Sequence, residues 1–173
     1  MLKRFRLVST RGHVSRFVRD AIGGGVIFSL GDSIACWIID AFQWQRLLTV
    51  LAMGSLLYAW EVPRYFGWID RIQPHKRDVK AAIKRTLLAV VYFNPLWIAR
   101  HLVLLKLGMA AFQEISWSLL VVASYSFLAQ LPVTAVVNFV IQNHVPTALR
   151  FPSSATFSTL MAVYYALIER FFG

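Results

Sequence analysis

Long apolar stretches fill most of the 173 residues, and the basic residues lie mainly in the gaps between them. A bilayer core about 30 Å thick is crossed by a helix of roughly 20 apolar residues. The sequence offers runs of about this length at 21–43, 47–66, 86–105 and 116–142, followed by a shorter run at 154–168. It therefore predicts an all-α, polytopic transmembrane helix bundle of four to five spans.

The overall composition supports a membrane protein and argues against a nucleic-acid-binding protein. Hydrophobic residues make up 58% of the chain, above the roughly 45–50% of a soluble domain. The formal charge of +10 flanks the apolar runs instead of covering a folded surface, so we expect it to set membrane orientation and to contact anionic lipid. The single cysteine, Cys36, excludes an intrachain disulfide.

Residues 1–20 form a basic segment that differs in composition from the apolar runs. Six Lys or Arg occur there before the first acid, Asp20. Such composition is typical of a mitochondrial transit segment and equally of an amphipathic helix that lies on anionic lipid. We expect the second, with the segment retained. The chain then consists of this N-terminal segment and a single transmembrane helical domain over 21–173.

Two prolines and a basic connection shape the predicted bundle. Pro95 and Pro132 fall inside the third and fourth apolar runs, so we expect both helices to be kinked. The connection at 70–85 is rich in basic residues. The side chains expected to contact lipid head groups are Lys76, Arg77, Lys80, Lys84 and Arg85.

Sequence motifs for catalysis, cofactors or metals are not found. The chain has no GxGxxG, P-loop, HExxH or CxxC pattern. Its four histidines are His13, His75, His101 and His144, and none has a second ligand at helical i, i+4 spacing. We therefore expect no enzyme activity, no cofactor and no metal.

The polar residues within the apolar runs are the best candidates for a functional site. Asp32 lies near the middle of the first run, Asp40 two turns later on the same predicted face, and Asn138 in the fourth run. A carboxylate at the bilayer centre costs on the order of 2.5–3.5 kcal/mol, so it should face protein or water. These residues either line a pore or join helices by hydrogen bonds and ion pairs.

A series of short motifs occurs in a defined order along the chain. They are Gly31-Asp32, then Asp70, Arg71 and Pro74, then Pro95, and finally Pro132, Asn138-Phe139, Val145-Pro146 and Arg150. In this order and spacing the chain resembles the Mpv-seventeen family, small integral membrane proteins of mitochondrial inner membranes and peroxisomes. The resemblance covers roughly 24–167. It implies a helical membrane fold, and some members are thought to form weakly selective pores.

The chain departs from the family pattern mostly by replacing polar groups with apolar ones. The substituted positions are Cys36, Ala59-Trp60, Ala89-Val90, Leu131 and Ala135. Losing polar groups removes what would line a water-filled path. We therefore expect a divergent member with a polar core that is depleted relative to the family.

These observations predict a non-catalytic protein of the mitochondrial inner membrane, with the peroxisomal membrane as the other location. The expected role is an accessory or structural subunit of a larger complex, such as a respiratory complex or ATP synthase. The alternative is a weakly selective channel for small solutes, lined by Asp32, Asp40 and Asn138. The expected partners are other membrane subunits and lipids, cardiolipin among them.

Overall fold

The computed structural model describes residues 10–74 and 78–172, and every regular element in these ranges is helical. The all-α prediction is confirmed, whereas residues 1–9, Lys76 and Arg77 lie outside the described part. The helices are α1 (Thr10–Ile38), α2 (Trp44–Ala52), a π-helical turn (Met53–Tyr58), α3 (Ala59–Ile72), α4 (Val79–Tyr92), α5 (Pro95–Gly108), a 3-10 turn (Phe112–Glu114), α6 (Ser118–Asn143) and α7 (Thr147–Phe172).

The helices run alternately in opposite directions through the bundle. α2, the π turn and α3 form one continuous helical stretch that returns along α1, and α6 returns along α4 and α5. α1 and α7 are parallel, since contacts join their ends in matching order. Near their N-termini Arg19 donates to the Ala148 carbonyl at 3.2 Å. Near their C-termini Arg170 Nη1 lies 2.5 Å from Asp40 Oδ2.

Glycine brings α1 and the π turn into backbone contact. A Cβ added at Gly24 would lie 2.7 Å from the carbonyl oxygen of Gly54, and one added at Gly54 would lie 2.8 Å from that of Gly24. Small residues permit such close helix crossings in membranes. By contrast, a Cβ at Gly23 or Gly67 would meet nothing within 4 Å. The first hairpin therefore depends on two particular glycines.

Pro95 begins a helix instead of kinking one, so that prediction is wrong. α4 ends at Tyr92, and α5 restarts with Asn94 as its N-cap, whose Oδ1 accepts from the Trp97 amide at 3.1 Å. Proline suits the first turn, because its missing N–H has no helical partner there. Pro132 lies inside α6, which is continuous across it.

α1 ends earlier than the first apolar run. Asp40 adopts φ 55°, and the Ala41 amide donates to the Cys36 carbonyl at 2.8 Å. This 6→1 bond with a left-handed residue is a Schellman ending. Asp40 therefore lies beyond the helix, exposed, and its prediction as an intramembrane group on the face of Asp32 is wrong.

The surface of the bundle is rich in exposed apolar side chains. Examples along α6 include Val121, Val122, Leu128 and Val136. Within the described residues, the segments Val14–Ile38, Val79–Gly108 and Ser118–Asn143 are long and apolar enough to cross a membrane. An apolar outer face of this kind fits a membrane protein.

Candidate functional site

An ion pair neutralises the Asp32 carboxylate, which lies near the C-terminal end of α1. Arg46, at the start of α2, donates from Nη2 to Asp32 Oδ1 at 2.6 Å and from Nε to Oδ2 at 2.8 Å. The Cys36 thiol lies 3.7 Å from the same Oδ2. Asp32 is thus held as one half of a two-pronged pair.

Two further pairs join helices across the bundle. Arg100 on α5 makes a two-pronged contact with Glu61 on α3, at 3.1 and 2.7 Å. Arg150 on α7 donates to both oxygens of Asp70 at 2.8 and 2.9 Å. The sequence identified Arg150 as a motif residue, and the structure pairs it with an acid.

A cavity of about 310 Å³ lies between α1, α5, α6 and α7. One side of its wall is apolar and aromatic, and the other is polar. Its lining comprises Phe28, Asp32, Val50, Phe93, Trp97, Ile98, His101, Leu102, Ser126, Gln130, Thr134, Asn138, Ser154, Phe157, Ser158, Thr159, Met161 and Ala162. The volume is at the lower end of the range for small-molecule sites.

The polar wall is built mainly by one stripe of α6. Ser126, Gln130, Thr134 and Asn138 recur at every fourth residue and line the cavity together. Residues four apart lie on one face of an α-helix, so this stripe follows directly from the spacing.

Two groups of this stripe keep unused hydrogen-bonding capacity. Asn138 is 3% exposed and Thr134 is 6% exposed. The Asn138 amide nitrogen donates to the Thr134 carbonyl at 2.9 Å. Among the described residues, Asn138 Oδ1 and Thr134 Oγ1 have no hydrogen-bond partner. A buried polar atom without a partner costs roughly 1–3 kcal/mol, so Asn138 and Thr134 are costly residues for a wall that serves packing alone.

The aromatic wall is held by a hydrogen bond between helices. The Tyr58 hydroxyl lies 2.8 Å from His101 Nδ1, and the Tyr58 ring lies 5.1 Å from that of Trp97, centroid to centroid. The sequence indicated no role for His101 beyond an interfacial or capping contact. A lone histidine in an apolar run carries no signal that identifies its partner.

The candidate residues from the sequence fall in three places. Asp32 and Asn138 both line the cavity, whereas Asp40 lies outside it. Lys80 and Lys84 are exposed, as a contact with lipid head groups requires. Arg85 is buried and donates to Asn143 Oδ1 and, at 3.0 Å, to the Pro74 carbonyl. Its prediction as a head-group ligand is wrong, because protein acceptors already bind its guanidinium.

The motifs of the family resemblance gather at one end of the bundle. The Arg150 guanidinium joins Asp70 to the Val145 carbonyl, which accepts from Nε at 3.1 Å. Gly31 is elsewhere, packed against the Thr159 side chain. Further motif residues near this end are Arg71, Pro74, Phe139 and Pro146.

The depletion of the polar core relative to the family stays a prediction, but polar side chains do line the cavity. The departures from the family pattern drew attention to lost groups, yet the α6 stripe supplies Gln130 and Thr134, and α7 supplies Ser154 and Ser158. Their spacing, not their count, is the signal that could have revealed the cavity. Within the described ranges, no three His, Cys, Asp or Glu side chains are grouped as metal ligands would be.

Comparison with known proteins does not assign this chain to a family. No protein-family model, curated protein or solved structure matches this chain.

Proposed function

We propose that this chain is a non-catalytic integral membrane protein that provides a pathway for a small solute. The observation that carries this proposal is the cavity with the polar stripe Ser126, Gln130, Thr134 and Asn138 on its wall. A fold that served only as packing would gain stability by filling this space with apolar side chains. The solute-channel role therefore takes precedence over the structural role expected from the sequence.

The proposal includes five membrane crossings, with 44–72 and α7 added to the three most apolar segments. Charged residues in 44–72 and the Ser, Thr, Tyr and Pro residues of α7 lower the hydropathy of these two segments. Arg46, Glu61 and Asp70 are each paired with a charge on another helix, and paired charges that face the bundle are tolerated in membranes. The alternating directions of the helices also suit five crossings.

We place the protein in the mitochondrial inner membrane with its basic end toward the matrix. The proposal is supported by the basic segment 1–20 and by exposed Arg16, Arg19, Lys80 and Lys84 at one end of the bundle. Cardiolipin is the proposed lipid partner there. The contact between Asp70 and Arg150 joins two of the motifs. It supports the proposal that this chain is a divergent member of the Mpv-seventeen family.

Uptake by proteoliposomes tests the pathway. We expect the purified protein to accelerate entry of radiolabelled glycerol above the rate of empty liposomes. Thr134→Leu, which replaces a cavity hydroxyl by a larger apolar group, should abolish the increase. Val136→Leu on the same helix is the matched control, because Val136 is 66% exposed. Equal uptake with and without wild-type protein would refute the proposal.

A second candidate, the accessory subunit of a larger membrane complex, is favoured by Tyr125. This side chain is 73% exposed on α6, in the interior part of an apolar segment. A tyrosine hydroxyl in the hydrocarbon region needs an acceptor, which a neighbouring protein chain supplies and a lipid tail does not.

Native gels separate this role from a free channel. The native membrane is solubilised in mild detergent, and the band that contains this chain is analysed by mass spectrometry. Co-migration with respiratory or ATP-synthase subunits at a fixed stoichiometry supports the accessory role. Migration alone or as a small homo-oligomer refutes it.

A further inference from the structure

The cavity carries almost no uncompensated charge. Asp32 is the one carboxylate among its described lining residues, and lysine and arginine are not found there. Both Asp32 oxygens accept hydrogen bonds from Arg46, whose own guanidinium is not part of the lining. The pair presents a dipole to the cavity instead of a full negative charge, so a cation gains little from entering.

The wall combines polar and apolar side chains. The α6 stripe contributes the amides and hydroxyls of Ser126, Gln130, Thr134 and Asn138. Aromatic surface comes from Phe28 on α1 and from Phe93 and Trp97 at the start of α5. Side-chain amides and hydroxyls can both donate and accept hydrogen bonds, so a ligand that does both is the best match.

We propose that the cavity selects small uncharged hydroxylated solutes of polyol size, and that Arg46 sets this selectivity by neutralising Asp32. A polyol carries hydroxyls that both donate and accept, together with C–H surface for the apolar wall. The inference rests on the proposed solute pathway and specifies its substrate class. Arg46 acts through Asp32 and is a positioning residue, not a direct ligand of the solute.

The selectivity is measured as the ratio of polyol uptake to potassium flux in proteoliposomes. The wild-type protein should pass glycerol and erythritol, with potassium flux at the level of empty liposomes. Arg46→Gln should raise potassium flux by about tenfold or more, since it leaves a bare carboxylate in the cavity wall. Arg46→Lys, which keeps a cation near Asp32, should restore most of the exclusion.

The double variant Asp32→Asn, Arg46→Gln keeps the test decisive should Arg46→Gln fold poorly. It removes both charges together, so the cavity remains neutral and potassium should again be excluded while glycerol passes. Wild-type protein that passes potassium as readily as glycerol would overturn the selectivity while leaving the pathway intact. Wild-type protein that passes neither solute would overturn the pathway itself, so the two failures are distinguishable.

Discussion

Arg150 and Asp70, which are eighty positions apart in the chain, form an ion pair in which Arg150 Nη1 donates to both carboxylate oxygens and joins the start of α7 to the end of α3. The Arg150 side chain is 3% exposed and that of Asp70 is 25% exposed. The pair therefore lies where charge is costly to leave without a counter-charge. Because it joins α3 to α7, which are far apart in the sequence, we expect it to matter for assembly of the whole fold.

Asp70→Asn should lower the stability of the protein by about 3–5 kcal/mol, because the buried Arg150 loses its carboxylate. The measurement is thermal unfolding in detergent, followed by loss of helical circular dichroism. Arg170→Gln is the control, since the Asp40–Arg170 pair is exposed on both sides and should contribute about 1 kcal/mol at most. Equal effects of the two variants would contradict this account.

Gly24→Ala should destabilise the first hairpin by about 1–3 kcal/mol, because the new methyl group would press on the Gly54 backbone. Gly23→Ala lies one residue away, where there is open space. It should be neutral or stabilise by up to about 1 kcal/mol, as expected for glycine replaced within a helix. Opposite signs in unfolding temperature are the expected result, and a similar loss in both would argue against a specific crossing point.

Ala110→Gly should stabilise the protein by about 1 kcal/mol. Ala110 follows α5 with φ 56°, and the Ala111 amide donates back to the Lys106 carbonyl at 2.9 Å. Glycine adopts this left-handed conformation without the cost that a Cβ brings. Ala111→Gly, at an ordinary negative φ of −89°, is the control and should not raise the unfolding temperature.

Tyr58→Phe should cost about 1–3 kcal/mol, because it removes the hydroxyl that meets His101 and leaves a ring nitrogen without that partner. Tyr125→Phe removes a hydroxyl from an exposed ring and should have little effect on the isolated protein. Unfolding temperatures in detergent provide the comparison. An unchanged Tyr58→Phe protein would mean that the contact contributes nothing to stability.

The sequence is sufficient to predict the helical class and the approximate place of the three segments that are long and apolar enough to cross a membrane, because apolar runs of spanning length are a local property. The polar stripe of the cavity is equally predictable from the sequence, since Ser126, Gln130, Thr134 and Asn138 recur at helical spacing. The ion-pair partners are not. Arg150 could reach Asp70 only through the packing of α3 against α7, and sequence spacing says nothing about that contact.

The errors at Asp40, Arg85 and Pro95 have local physical causes. No glycine marks the end of α1, since Asp40 itself takes the left-handed position that glycine usually fills. Arg85 resembled its exposed neighbour Lys84, but one residue of rotation turns it toward Asn143 and into the bundle. Pro95 was read as an interior proline, whereas Asn94 before it is an N-cap residue that starts a new helix.

The π turn at 53–58 determines which helices the continuous stretch 44–72 contacts. A π turn holds one more residue than an α turn, and one residue corresponds to about 100° of helical rotation. The extra residue adjusts the phase of the stretch 44–72. Before the turn, the stretch contacts α1 and α5; after it, the stretch still contacts α1 and also contacts α4 and α7. Deleting one residue here would restore regular α-helical geometry and rotate Glu61 and Asp70 away from their arginines. The π turn therefore allows one continuous helical stretch to contact different helices before and after it.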